Sequence, residues 1–275
     1  MLKQRLLTAA FLIPLITVVI LLLPSLWFLI ILLIAAALAG WEWLSMIGIS
    51  NKAGRVAGIG LLLLLTLLSL PLLSSQMVLM LFLAFWLFIT AIVVIYAHRP
   101  LPALLNRLLK QRLFSYILAV ITLSGFIYSA LWLHGLVDAG PQIVVYLLLV
   151  VWLMDTGGYF FGKQFGKHKL ARAISPNKTI EGLAGGLLLV GIAYLLTIGI
   201  GLQAQLGDLL WLALTMLAAL ASVIGDLFES LIKRSYQLKD SGQLLPGHGG
   251  MLDRVDSLLA ASAVFAAGLY LAGVR

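Results

Sequence analysis

Long apolar runs alternate with short polar stretches that hold most of the charge. A helix that crosses a bilayer needs about 20 mainly apolar residues, with a range near 17–25. About nine such runs can be read, at roughly 6–23, 26–47, 57–73, 77–96, 114–134, 142–162, 182–202, 208–232 and 257–273. Turn-forming residues mark the breaks: Pro24-Ser25, Ser50–Arg55, Ser74-Ser75, His98–Arg112, Asp138–Pro141 and Gly201–Gly207. The start, Met1-Leu2-Lys3-Gln4-Arg5 and an apolar run, is like a secretory signal, whose apolar core spans about 7–15 residues before a small-residue cleavage site. Here the run continues through Leu23-Pro24-Ser25 and resumes at once, so it is read as a first membrane helix. The predicted fold is all-α: a polytopic transmembrane helical bundle of about nine spans.

Charge placement tests that count. With the N-terminus in the cytoplasm, cytoplasmic segments hold Lys3 and Arg5, then Lys52 and Arg55, then Arg99, Arg107, Lys110 and Arg112. They also hold Lys163, Lys167, Lys169, Arg172 and Lys178, and finally Lys233, Arg234, Lys239 and Arg254. Of the 18 basic residues only Arg275 falls outside. Lys and Arg are retained on the cytoplasmic side of short loops, and one miscounted span would scramble the alternation.

Composition agrees. The 275 residues are 63% hydrophobic and 10% charged, with a mean hydropathy of +1.13. A soluble domain carries about 25% charged residues, so this chain cannot cover a globule with polar surface. Residues 1–275 are read as a single integral membrane domain. The net charge of +8 lies in short loops, where it sets topology and attracts membrane lipids with anionic headgroups. It is not the stripe that nucleic acid would need. Without cysteine there are no disulfides, thiolate metal sites or cysteine nucleophile.

Of the 10 acidic residues, Glu42 alone lies in 1–134. That half reads as helical scaffold and lipid contact, and 135–275 as the catalytic half. Asp226 and Glu229 stand at i, i+3 on one helical face, and Lys233 continues it. A carboxylate at membrane depth faces a partner or an aqueous cavity. A Glu229–Lys233 ion pair explains Glu229 as well as a direct role does; Asp226, one turn deeper, favours function. Beyond the basic loop Lys233–Asp240 comes Pro246-Gly247-His248-Gly249-Gly250, then Asp253, Arg254 and Asp256 at the start of the last span. Glycines admit close backbone approach, and amides at a helix start favour anions. Carboxylates beside such a turn suit Mg²⁺ with a polyphosphate, since Mg²⁺ takes one or two carboxylates and fills its shell with phosphate oxygens and water. Helix capping accounts for one Asp, but not for two with His248, Arg254 and further basic residues nearby. Positioning is preferred for His248, because an attacking phosphate is already ionised and needs no base.

A second cluster begins at Asp155-Thr156-Gly157-Gly158-Tyr159 and continues to Ser175-Pro176-Asn177-Lys178-Thr179-Ile180-Glu181-Gly182. Close helix packing is the plain reading of Gly157 and Gly158. A Lys and hydroxyl pair at Lys178 and Thr179 or Ser175 suits a triphosphate or headgroup phosphate. No G-x-x-x-x-G-K-[ST] occurs, so this is not a P-loop site.

The run Ser230–Arg234 through Lys239-Asp240, then Pro246–Gly250 and Met251-Leu252-Asp253-Arg254-Val255-Asp256, resembles the signature of the phosphatidate cytidylyltransferase (CDP-diacylglycerol synthase) family. The Asp155–Tyr159 and Ser175–Gly182 segments resemble the family's other shared stretches, so the likeness covers roughly 150–260. It implies transfer of CMP from CTP to phosphatidic acid with Mg²⁺, giving CDP-diacylglycerol and pyrophosphate in phospholipid biosynthesis. It also implies metal binding by Asp226, Asp253 and Asp256, and a homodimer. Lys233, Arg234 and Arg254 are expected to act with them and His248 in catalysis. Asp155, Ser175, Lys178, Thr179, Glu181, Lys239, Gly249 and Gly250 are expected to bind substrate. The expected setting is the bacterial inner membrane, active site towards the cytoplasm. The alternatives are a CTP-dependent polyprenol or lipid kinase and, from another class, a membrane transporter.

Overall fold

The computed structural model describes residues 13–72, 74–202, 206–242 and 249–274. Eight helices among these are long and apolar enough to cross a bilayer. They are α2 (Ser25–Met46), α3 (Lys52–Leu72), α4 (Ser75–Tyr96), α6 (Arg112–His134), α7 (Gly140–Phe165), α8 (Ile180–Ile200), α9 (Asp208–Ser235) and α10 (Leu252–Leu271). The first expected span lies partly outside the described residues; its described part is the helix α1 (Ile13–Leu22). A short helix α5 (Ala103–Lys110) and a hairpin of β1 (Lys169–Ala171) and β2 (Ser175–Thr179) complete the order.

Proline chemistry shapes the entry to the bundle. Pro24 has no N–H, which leaves the Ile20 carbonyl without its partner one turn on. His134, at the end of α6, donates from Nε2 to that carbonyl at 3.1 Å. Its Nδ1 therefore accepts the Ser25 hydroxyl, also at 3.1 Å. The ring stacks on Phe28 with centroids 4.4 Å apart.

Connections gather alternately at two ends, as the charge pattern predicts. At the basic end, Ala173 N–H donates to the Ala97 carbonyl at 2.9 Å, and the Tyr236 hydroxyl to that of Leu109 at 2.8 Å. At the other end the Tyr194 hydroxyl donates to the Asp208 carbonyl at 3.1 Å, and Ser25 meets His134. The core lies around α10 and α6. Ala260, Ala261, Ala263, Ala266 and Ala267 are fully buried, so α9, α6 and α4 approach α10 closely. Such small-residue packing replaces the hydrophobic effect that helices lack inside lipid. Leu64, Leu65 and Leu68 of α3 remain exposed, on a face suited to lipid.

Three segments depart from the sequence reading. Lys233 and Arg234 lie in the last turn of α9 rather than in a loop, where cations favour the helix dipole. The 103–110 stretch is helical, with basic residues in its last turn. Within 163–181 the chain forms an antiparallel hairpin pairing Lys169 with Thr179 and Ala171 with Ser175.

Because the chain has no cysteine, single replacements report sidedness cleanly. Arg107→Cys and Lys239→Cys should react with a membrane-impermeant maleimide from one side, Ser74→Cys and Val137→Cys from the other. Labelling of all four from the same side would contradict the two-ended arrangement.

Candidate functional site

Two glycine contacts bring the chemistry together. Where α7 meets α8, a Cβ on Gly157 would stand 2.7 Å from Gly186 Cα, and one on Gly182 2.6 Å from the Gly158 carbonyl. The helices therefore touch backbone to backbone, as the packing reading of Gly157 and Gly158 expects. Where α9 meets α10, a Cβ on Gly225 would run into the Asp256 carbonyl and stand 3.3 Å from Ser257 Cα. That contact makes Asp226 and Asp256 electrostatic neighbours.

The hairpin supplies the opposing charge. Thr179 accepts the Gly182 amide at 3.2 Å and so caps α8, fixing the end of β2. Lys178, one residue earlier, places Nζ 2.6 Å from Asp226 Oδ2. The Ser230 hydroxyl donates to Asp226 Oδ1 at 3.3 Å. Asp155 interacts electrostatically with Lys178, Asp226 and Arg254. A cavity of about 300 Å³ lies between these elements. Asp155, Tyr159, Asn177, Lys178, Thr179 and Asp226 form its polar part, and Met154, Leu170, Leu183 and Val223 its apolar wall. Such a lining can hold a phosphate attached to an apolar body.

Beside it, Lys233 pairs with the buried Glu229 one turn back, the ion pair weighed from the sequence, and with Asp253 Oδ1 at 2.7 Å. Asp253 Oδ2 accepts the amides of Gly250 at 3.0 Å and Ser241 at 3.3 Å. Gly249 has φ +82°, a left-handed conformation that glycine adopts without steric penalty.

Glu42 was not singled out from the sequence as a site residue, yet it holds this segment in place. Only 3% exposed, its carboxylate accepts the amides of Met251 at 2.9 Å and Leu252 at 2.8 Å and the Ser241 hydroxyl at 3.0 Å. It therefore satisfies backbone donors at the start of α10 from a helix in the other half of the chain. A Cβ on Gly242 would come within 2.7 Å of the same carboxylate, and one on Gly250 would run into it. The available signal was an acid in the middle of an apolar run.

Other expected site residues lie apart from the cavity. Glu181 accepts the Lys167 amide at 3.0 Å, the His168 amide at 3.2 Å and His168 Nδ1 at 2.6 Å, closing the turn into the hairpin. Ser175 pairs in the hairpin with Ala171, and Lys239 is exposed. Arg234 donates to the Leu238 carbonyl at 3.4 Å. His248 lies outside the described residues.

A model of the cytidylyltransferase family matches residues 3–272. The chain is 36% identical over 275 residues to a phosphatidate cytidylyltransferase of Pseudomonas aeruginosa, covering 99% of this chain and 98% of that one. It is 41% identical over 157 residues to a phosphatidate cytidylyltransferase of Staphylococcus aureus, covering 55% and 59% respectively. With that of Staphylococcus haemolyticus the identity is 42% over 159 residues.

Glu42→Gln would turn an amide nitrogen towards a backbone N–H, donor against donor. Leaving such a buried donor unsatisfied costs about 1–3 kcal/mol. The variant should melt earlier and turn over at least about tenfold more slowly, a barrier change of about 1.4 kcal/mol. Wild-type turnover in a thermal-melt and activity comparison would refute the clamp.

Proposed function

The chain belongs to the cytidylyltransferase family, and we infer from that membership that it transfers CMP from CTP to phosphatidic acid, giving CDP-diacylglycerol and pyrophosphate. The observation that carries this conclusion is the 36% identity with a phosphatidate cytidylyltransferase across 99% of the chain. The protein is a multi-pass membrane nucleotidyltransferase.

The lipid phosphate attacks the α-phosphorus of CTP. One P–O bond forms, the bridging bond to the β-phosphorus breaks, and its electron pair leaves with pyrophosphate. Such transfers rest mainly on positioning and on positive charge against the phosphate oxygens. The cavity's apolar wall suits the glycerolipid body, and its polar part the phosphate. Lys178 steadies phosphate there with Arg254, an electrostatic neighbour of the lining Asp155, and Asp226 holds the Lys178 ammonium in place. Lys233 stands between Glu229 and Asp253 and acts by fixing the Asp253 carboxylate and, through it, the Gly250 and Ser241 amides. His248 keeps the positioning role given to it from the sequence.

Asp226, Asp253 and Asp256 are the proposed magnesium ligands. Among the described residues no group of three or more His, Cys, Asp or Glu side chains stands close enough to cage a metal ion. Asp226 and Asp256 are neighbours, whereas both Asp253 oxygens already accept hydrogen bonds. The Asp226–Asp256 pair fits an ion taking one or two carboxylates and completing its shell from phosphate and water, and Asp253 would join by giving up one of its hydrogen bonds. When bound, the ion supplies positive charge to the phosphate oxygens.

The basic end of the bundle carries the cavity, which supports an active site facing the cytoplasm. The bacterial relatives support the inner (plasma) membrane of a bacterium as its location. A homodimer is part of the same proposal, with exposed apolar helix faces available for a second copy or for lipid.

Purified protein with phosphatidic acid, Mg²⁺ and CTP labelled at the α- or γ-phosphate gives the test. The α-label should enter lipid while the γ-label leaves as pyrophosphate. A γ-label appearing on a lipid alcohol would make the protein a CTP-dependent kinase, and nucleotide-independent flux without label transfer a transporter. Asp226→Asn should slow α-label transfer on the order of 10²-fold, equivalent to about 3 kcal/mol in the barrier, without loss of folded protein. Unchanged transfer would remove Asp226 from the site.

A further inference from the structure

A second cavity, of about 230 Å³, opens at the same basic end of the bundle. Its polar lining comes from Tyr96, Arg99, Asn106, Arg234 and Ser235. At 3.6 residues per turn, Leu231, Arg234 and Ser235 face roughly the opposite side of α9 from Asp226, Glu229 and Lys233. The two cavities therefore lie on different faces of one helix. They share the hairpin, whose turn lines this one while residues 177–179 line the other.

The chemistry of the lining is one-sided. Each of the five polar side chains can donate a hydrogen bond, two are guanidinium groups, and none is a carboxylate. Among the described residues neither Arg99 nor Arg234 forms an ion pair. Two positive charges from different elements, neither in an ion pair among the described residues, converge on one pocket, which raises the local concentration of anions. Guanidinium forks match phosphate oxygens in geometry as well as in charge. The pocket is also built in advance. The Ala173–Ala97 hydrogen bond ties the hairpin turn to the end of α4, and the Tyr236–Leu109 bond ties the end of α9 to α5. Leu231 and Ile174, both buried, give it an apolar floor. Its neighbour α5 leaves Leu104 68% exposed at the end where the helices leave the bilayer.

We propose that this pocket is a second phosphate-binding site, separate from the cavity that holds Lys178 and Asp226. Its ligand is a phosphate group, carried either by an anionic membrane lipid or by a free polyphosphate. Arg234, expected from the sequence at the reacting phosphates, serves this pocket. The proposal does not depend on the reaction assigned above.

The test uses the full-length protein in neutral detergent and measures binding by native mass spectrometry. Two probes are compared: phosphatidylglycerol, a phosphate-bearing anionic lipid, and inorganic pyrophosphate. Arg99→Gln and Asn106→Ala are set beside the wild type, with Asp226→Asn altering only the first cavity. Arg99→Gln should weaken retention of one probe at least about tenfold, and Asn106→Ala should weaken the same probe. Asp226→Asn should leave that Arg99-dependent binding in place. Arg99-dependent lipid retention that pyrophosphate does not displace identifies the lipid source; Arg99-dependent pyrophosphate binding identifies the free anion. If Arg99→Gln fails to fold, Arg99→Lys keeps the charge without the fork and should bind with intermediate strength. Equal affinities for both probes in wild type and in every folded pocket variant would overturn the proposal.

Discussion

A carboxylate enclosed by apolar helices must find donors, and Glu42 finds them in the amides of Met251 and Leu252 and the Ser241 hydroxyl. An unpaired ion at such depth would be unfavourable by several kcal/mol, while each charge-assisted hydrogen bond returns about 1.5–3 kcal/mol. The constraint works in both directions. The acid is tolerable only if the start of α10 comes to it, and α10 begins where it does because the acid is there. Asp253 and Asp256 are placed by that start, and Gly242 and Gly250 are the residues small enough to close over the carboxylate.

The same economy of charge runs through the rest of the site. Lys233 serves Glu229 and Asp253 together, and Lys178 serves Asp226. Glycine decides where these pairs can form, because backbone contact at Gly157–Gly186 and Gly225–Asp256 leaves no room for a side chain. The helix α9 then has two working faces. One carries the carboxylates beside the cavity of Lys178 and Asp226, and the other turns Arg234 into a pocket lined by donors.

Much of this was legible in the sequence, for physical reasons that differ by feature. Bilayer thickness imposes a length on every span, so the apolar runs announced the helices, and the sidedness of Lys and Arg announced the order of the ends. The Glu229–Lys233 pair could be anticipated because i, i+4 neighbours on a helix must meet. The partners of Glu42 could not. They lie about 200 residues away in sequence, and no periodicity encodes which helix start a buried acid will meet. The hairpin was missed because β1 has three residues and β2 five, too few for an alternating pattern to register. Glu181 reads as a ligand for substrate in a motif, whereas in three dimensions its partners are the His168 ring and the amides of Lys167 and His168.

Glu42, from the first half of the chain, orders the start of α10 in the second. Amide hydrogen exchange over residues 249–256, compared between wild type and Glu42→Gln in the same detergent, addresses it directly. Slow exchange at Met251 and Leu252 in the wild type, lost in the variant while α6 keeps its protection, is the predicted result. Equal exchange in the two proteins would contradict the account, because the start of α10 would then be held by something other than Glu42.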